Sequence, residues 1–272
     1  MKRDFERDQQ LPDYIESLQS KGEYWFLGED ICHQLKLSPG ALKAALWRLA
    51  KKQAICRIRG DFYVIVPPEH RLAGCLPAQW FIDPLMKYLG LPYYVALLSA
   101  ASIEGAAHQQ IMFLQVMTTK QLREVVAGNQ RIHFYYKQEI DDSLFIKRKT
   151  PLSYFNLSIP ELTAFDLVRY ANSFEQLQQA TTVIYELAEK LDAKKLAKLV
   201  VDQKVNVTAA QRLGYLLEII IAADLDLAAL ELAVNTQKPR YIALSPGKAS
   251  ENEEKNHRWH IYLNETLELD EL

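Results

Sequence analysis

Seven cations, Lys36, Lys43, Arg48, Lys51, Lys52, Arg57 and Arg59, fall between positions 36 and 60, and no Asp or Glu falls among them. The whole chain of 272 residues conceals this run, because 32 Lys+Arg stand against 34 Asp+Glu for a net charge of −2. A local surface of one sign is what the phosphates of a nucleic acid recognise. Two other groups could do chemistry. Glu139, Asp141 and Asp142 with Lys147 and Lys149 resemble the acid–lysine set of a metal-dependent nuclease, but a solvated hairpin turn accounts for them better. His257 and His260 have the spacing of an H-x-x-H metal pair. On a strand that spacing sends the two rings to opposite faces, so a metal is not expected there. His108 and His133 have no Cys or carboxylate arrangement nearby in sequence, and His33 reads as a surface residue. Neither a G-x-G-x-x-G nor a Walker-type loop occurs, nor a G-x-S-x-G elbow. No catalytic residue, metal or cofactor is expected, and the chain reads as a non-enzyme.

The elements that would carry the cations follow from periodicity. Leu11, Ile15 and Leu18 mark one face of a helix over 11–20, which Lys21-Gly22 breaks. Leu27, Ile31 and Leu35 are spaced by four and predict a second helix over 27–35. Ser38 is a good N-cap and Pro39 a good first residue for a third helix reaching about Lys52. Leu42, Ala45, Leu46 and Leu49 of that helix face inward, whereas Gly40, Lys43, Ala44, Trp47, Arg48 and Lys51 face outward. Trp47 is expected to pack against the strands that follow. Those strands span 54–58 and 62–66, joined by Arg59-Gly60-Asp61 with Gly60 at positive φ.

Three helices and a β-ribbon in this order predict a winged helix-turn-helix over residues 1–75. Its third helix would enter the major groove of double-stranded DNA. Lys43, Arg48 and Lys51, with Lys52 beside them, would meet the groove, and Arg57 and Arg59 the flanking backbone. Backbone amides at Ser38 and Gly40 would meet a phosphate. The bland alternative is a helical module for protein contacts with a solvated basic face.

Residues 1–75 hold 12 Lys+Arg against 10 Asp+Glu, and residues 76–272 hold 20 against 24. Five prolines between 67 and 92 punctuate the chain, and the boundary is placed near 72–80. Beyond it, 93–105 reads as a buried helix, and 111–117, 131–137, 144–147 and 154–157 read as strands. Helices are expected over 161–170, 174–191, 192–204, 208–223 and 226–234, with Asp192 and Thr208 as caps. Strands return at 241–244 and 260–264, with a mobile loop between them at 247–256. The expectation is an α+β chain, an N-terminal winged helix-turn-helix followed by a larger mixed α/β domain with a helical bundle over 76–272. Cys32, Cys56 and Cys75 are odd in number and lack C-x-x-C spacing, which argues against a disulfide framework or a zinc site. They read as small buried residues in a reducing compartment. The opening MKRDFERDQQ has no apolar segment of a secretory signal, and Glu218, Asp224 and Asp226 interrupt the longest apolar stretch, so a cytoplasmic protein without membrane contact is expected.

Four segments in order carry a resemblance. They are Arg57-Ile58-Arg59-Gly60-Asp61-Phe62-Tyr63-Val64-Ile65, Tyr93 to Ala101 followed by His108-Gln109-Gln110, Leu157 to Val168, and Tyr241 to Pro246 with Arg258 to Asn264. Together they resemble the AbiEi family, the antitoxins of type IV (AbiE) toxin–antitoxin systems, which serve in phage defence. Leu162 stands where the family often carries an Arg. The resemblance implies a repressor that binds inverted repeats in its own promoter. It also implies a C-terminal antitoxin domain that opposes a cognate nucleotidyltransferase-like toxin without a stable complex. A winged-helix regulator with a small-molecule-sensing C-terminal domain is the alternative reading, and a nuclease is the third.

Overall fold

The structure is a computed structural model and describes residues 2–106, 112–246, 253–267 and 269, with the backbone alone for residues 2–10. It is a mixed α+β chain with ten α-helices and three sheets among the described residues. Two compact units divide it: Met1–Val95 with Met112–Leu157, and Ala96–Ile111 with Ser158–Leu272.

In the first unit, α1 (Lys2–Ser20) is followed by strand β1 (Trp25–Leu27), α2 (Gly28–Leu35) and α3 (Pro39–Lys51), then by β2 (Ile55–Arg59) and β3 (Phe62–Ile65). The expected first helix thus begins earlier and runs through Pro12. Strand β1 was not expected; it pairs antiparallel with β3, which pairs with β2, in the order β1-β3-β2. Leu11, Ile15 and Leu18 of α1 close a core with Phe26, Ile31, Leu46, Ile55, Tyr63 and Ile65. Leu42, Ala45 and Leu49 pack half-buried against it, so the predicted inner face of α3 is the observed one.

The proline-rich segment after the strands holds a helix that sequence punctuation hid, α4 (Ala78–Leu89), with Pro84 inside it. A mid-helix proline cannot donate to the carbonyl four residues back. That carbonyl, of Trp80, instead accepts a hydrogen bond from the Ser153 hydroxyl at 3.1 Å. Buried backbone acceptors need such partners.

A six-stranded sheet completes the unit: β4 (Tyr93–Val95), β5 (Leu114–Thr118), β6 (Val125–Ala127), β7 (Gln130–Tyr136), β8 (Phe145–Lys149) and β9 (Tyr154–Ser158), in the order β6-β7-β5-β4-β9-β8. β4 pairs antiparallel with β5 and parallel with β9, while β5 and β7 run parallel. The buried helix expected over 93–105 is therefore a strand first and a helix, α5 (Leu97–Ile103), only afterwards. Ala96 is extended and Leu97 takes φ +54, which breaks the run between them.

The second unit is built on α6 (Pro160–Tyr170), whose residues from Glu161 to Val168 are all buried. Around it lie α7 (Phe174–Leu187), α8 (Ala193–Val201), α9 (Val207–Tyr215) and α10 (Ala228–Thr236). Asp192 caps α8 as expected, accepting from Lys194 and Lys195 N–H. Asn206 caps α9 in place of the expected Thr208. A π-turn over Leu216–Ile220 continues α9. Three short strands, β10 (Ile242–Ala243), β11 (Lys255–Asn256) and β12 (Ile261–Tyr262), form the third sheet. They are pinned to α9: Gln211 Nε2 donates to the carbonyls of Arg240, Trp259 and His260, and Arg212 donates to that of Ala243. Gly214 leaves room for the Trp259 ring, which a Cβ would meet at 2.2 Å. Within 247–256, residues 247–252 lie outside the described residues.

Candidate nucleic-acid interface

The surface of interest is the outer face of α3 and the β2–β3 turn, and its geometry is set by three local devices. First, α2 ends in Lys36, held in the left-handed region at φ 49, and Leu37 N–H donates to the Cys32 carbonyl at 3.2 Å. This fixes a short link from α2 to α3. Second, Ser38 caps α3, its Oγ accepting from Ala41 N–H at 3.3 Å with Pro39 as first residue. An oxygen at this position satisfies one of the amides the helix leaves unpaired. Third, Asp61 ties the strand turn to α2. Its Oδ2 accepts from Glu29 N–H at 2.7 Å and its carbonyl from Gly28 N–H at 3.1 Å. Its own N–H donates to the Tyr88 hydroxyl of α4 at 3.1 Å. A carboxylate at a helix N-terminus also meets the positive end of the helix dipole. Gly60 takes φ +57, and a Cβ on it would lie 2.8 Å from the Tyr88 hydroxyl.

On this frame Gly40, Lys43, Arg48 and Lys51 share the exposed side of α3, with Ser38 at its start and Lys52, also exposed, at its end. Trp47 lies among them 63% exposed, with the Lys51 ammonium 5.2 Å from its ring centre. The expectation that Trp47 packs against the strands is therefore corrected: the core is filled by Leu46 and its neighbours, and the indole is left outside. Arg57 is exposed on β2, donates Nε–H to the Gly60 carbonyl at 2.7 Å, and lies over the Tyr63 ring. Burial raises the Tyr63 phenol's pKa, and the nearby Arg57 partly offsets that.

Arg59 stands apart from this group. It is half-buried, donates to the Arg123 carbonyl, and its guanidinium sits 5.5 Å from the Phe134 ring centre. Burial, and then the charge of Arg123, hold its pKa below the ordinary arginine value. The structure thus brings seven of the eight sequence-predicted residues to exposed positions and turns the eighth onto β7 and its flank. Asp61 and Tyr88, which fix the turn, were not singled out from sequence. The Arg-Gly-Asp turn preceding a β-strand gives no local sign that its carboxylate reaches a helix 32 residues back.

The other candidate groups resolve as follows. Asp141 accepts from the Ser143 N–H and hydroxyl, so it closes a turn, while Glu139, Asp142, Lys147 and Lys149 are exposed. His257 and His260 lie in a turn and not on a strand, and both rings approach Tyr241, at 6.1 and 5.1 Å between centres. The expectation of rings on opposite faces fails because the strand begins only at Ile261. His133 has a carboxylate partner after all, Glu124 at 2.9 Å, and stacks on Phe113. His108 lies outside the described residues. Among the described residues no three His, Cys, Asp or Glu are grouped to hold a metal ion, and no helix is long and apolar enough to cross a membrane.

Comparison with known proteins adds three findings. No curated protein matches the sequence. A crystal structure of the RV2827C protein from Mycobacterium tuberculosis superposes with a TM-score of 0.63 at 14% identity, covering 91% of this chain and 89% of that one. At that identity the likeness is one of fold. Residues 94–219 match the family model of the AbiEi antitoxin C-terminal domain, an antitoxin and not an enzyme family, and over that stretch the chain is similar to the AbiEi antitoxins.

Proposed function

We propose that this chain is an antitoxin that also represses its own operon. Residues 1–75 would act as a winged helix-turn-helix that binds inverted repeats in its promoter, and residues 76–272 as the antitoxin domain. An antitoxin family implies a toxin, and the one proposed here is nucleotidyltransferase-like, encoded alongside and opposed without a stable complex.

The observation that carries the DNA reading is the two-sidedness of α3. One face is locked in the core by Leu42, Ala45, Leu46 and Leu49, and the other holds Lys43, Arg48 and Lys51 outward beside a rigidly capped N-terminus. A protein that reads duplex DNA needs one helix held firmly with its cations outward. Ser38 and Gly40 would set backbone amides against a phosphate, Lys52 would meet the groove beside Lys51, Arg57 would contact the flanking backbone, and Trp47 would lie against sugar. Arg59 would have to leave the Arg123 carbonyl to join them.

The test is fluorescence anisotropy of a duplex from the chain's own upstream region, titrated with full-length protein across a salt series. Lys43→Ala and Lys51→Ala should each flatten the slope of log affinity against log salt by ~1. Arg48→Ala should cost about 1–3 kcal/mol if it contacts a base through both nitrogens. Unchanged affinity in the triple variant, with the circular dichroism of the parent chain, would remove the DNA reading. Co-expression with the neighbouring toxin gene tests the antitoxin half separately, through rescue of growth.

A further inference from the structure

Arg57 and Arg59 stand two residues apart on β2, a spacing that on a regular strand sends both side chains to the same face. The structure separates them. Arg57 pairs with Tyr63 and Arg59 with Phe62, so Ile58 is the extra residue of a β-bulge, and a bulge re-aims the side chains beside it. Arg57 keeps to solvent, whereas Arg59 is turned onto the six-stranded sheet, with Nη2 donating to the Arg123 carbonyl and the guanidinium 5.5 Å from the centre of the Phe134 ring. The rest of the turn is held as closely. Asp61 N–H donates to the Tyr88 hydroxyl at 3.1 Å. The fully buried Phe62 ring lies 5.4 Å from the ring centre of Trp25 and 5.8 Å from that of Tyr88.

Resting on the DNA reading above, we propose that Arg59 is a positioning residue. Clamped between Arg123 and Phe134, it fixes the β2–β3 turn, and Arg57 is the cation that the turn presents to a phosphate. Arg59 itself stays on the sheet when DNA binds. The clamp joins a charge-assisted hydrogen bond to a cation–π contact, and both are stronger at this half-buried place than in open water. A phosphate contact at the rim of a duplex is exposed and screened by salt. A guanidinium suits the clamp because its plane stacks on a ring while its edge donates, which an ammonium cannot do. A turn already rigid in the free chain also spares the cost of ordering it on binding.

The experiment titrates the duplex from the chain's own upstream region with full-length parent and variants across a salt series. Arg57→Ala should flatten the slope of log affinity against log salt by ~1. Arg59→Ala should leave the slope unchanged and weaken binding by about tenfold, the cost of ordering one or two loosened side chains. Phe134→Ala, which removes the other half of the clamp, should do the same, and the double variant should bind no more weakly than either single one. Arg59→Lys separates the clamp from a phosphate contact. A lysine keeps the charge and would serve at a phosphate like the parent, but it cannot rebuild the clamp and should match Arg59→Ala. A flatter slope in Arg59→Ala, parent affinity in Arg59→Lys, or tighter binding by Phe134→Ala each overturns the proposal. So does a lower urea midpoint with parent affinity, which would make Arg59 a prop of the fold alone. Native-state amide exchange of residues 60–62 reads the clamp without DNA. It should quicken in Arg59→Lys, the mildest change and the one that decides should the alanine variants not fold. If the parent does not bind the duplex, the DNA reading falls, and this exchange alone judges whether Arg59 fixes the turn, an unchanged rate overturning that as well.

Discussion

Replacing Gly28 by Ala puts a Cβ 2.4 Å from Asp61 Oδ1 and 3.1 Å from its carboxylate carbon. The carboxylate must swing away and give up the 2.7 Å bond from Glu29 N–H. A side-chain oxygen at a helix N-terminus contributes about 0.5–2 kcal/mol, typically ~1. Gly28 has no positive φ, so Ala also restricts the unfolded chain and returns about 0.4–1 kcal/mol. Gly28→Ala alone should therefore destabilise by only a few tenths of a kcal/mol to about 1 kcal/mol. Asp61→Ala alone should cost about 1 kcal/mol, because the Glu29 amide loses its acceptor. In the double variant the added methyl meets no carboxylate, so the second change becomes stabilising. The coupling between the two sites should be about 1 kcal/mol, whereas independent sites add to within ~0.3–0.5 kcal/mol. Urea denaturation of the four full-length chains measures the cycle. Exchange of the Glu29 amide in the native state reports the same coupling locally, as roughly tenfold per 1.4 kcal/mol. Simple additivity of the two single changes would show that the turn and α2 are not joined through this carboxylate.

Further outcomes follow from the same geometry. Ser38→Ala should destabilise by about 1 kcal/mol through loss of the cap on α3, read as a lower urea midpoint. Gly214→Ala forces a methyl into the Trp259 ring and should cost about 1–3 kcal/mol or more, with a changed tryptophan emission reporting the displaced indole. Burial, then the Asp83 carboxylate, raise the Tyr93 pKa far above the ordinary phenol value. The folded chain therefore holds this proton more tightly than the unfolded one, so the associated stability is intact below pH ~10 and is lost as pH rises beyond it. Urea midpoints measured between pH 9 and 11, roughly the range bracketing a free phenol, should fall more steeply for the parent chain than for Tyr93→Phe. An equal slope would contradict the assignment. Leu46→Ala should cost about 2–5 kcal/mol, because the buried side chain fixes α3 on its core, and thermal unfolding checks it.

Much of the first unit is legible from sequence because its signals are local. Ser38-Pro39 and the four apolar residues from Leu42 to Leu49 define α3 without reference to any other segment, and Gly60 defines the strand turn. Where the outcome depended on distant partners, the sequence misled. The run from Tyr93 is apolar enough for a buried helix or a buried strand, and only pairing with β5 and β9 selects the strand. Strands β1 and β6 are three residues each, too short for alternation to show. Of the proposed interface, the outward cations of α3 were readable from helical spacing. The capture of Arg59 by Arg123 and Phe134 was not, since it depends on a crossing between segments 64 residues apart. The same holds for the exposure of Trp47, because an indole gives no sequence sign of whether a core has room for it.

The proline within α4 has a consequence for how that helix tolerates change. A better helix former at position 84 would supply the amide that Pro84 lacks, and that amide would compete for the Trp80 carbonyl now taken by Ser153. The displaced hydroxyl lies in the tight link between β8 and β9, where Ser153 N–H and Thr150 N–H are already committed to each other's oxygens. A substitution that improves the helix in isolation would thus unfasten a loop sixty-nine positions downstream in the chain. Here an apparent flaw in one element is the fastening point of another, and repairing it would loosen the pair.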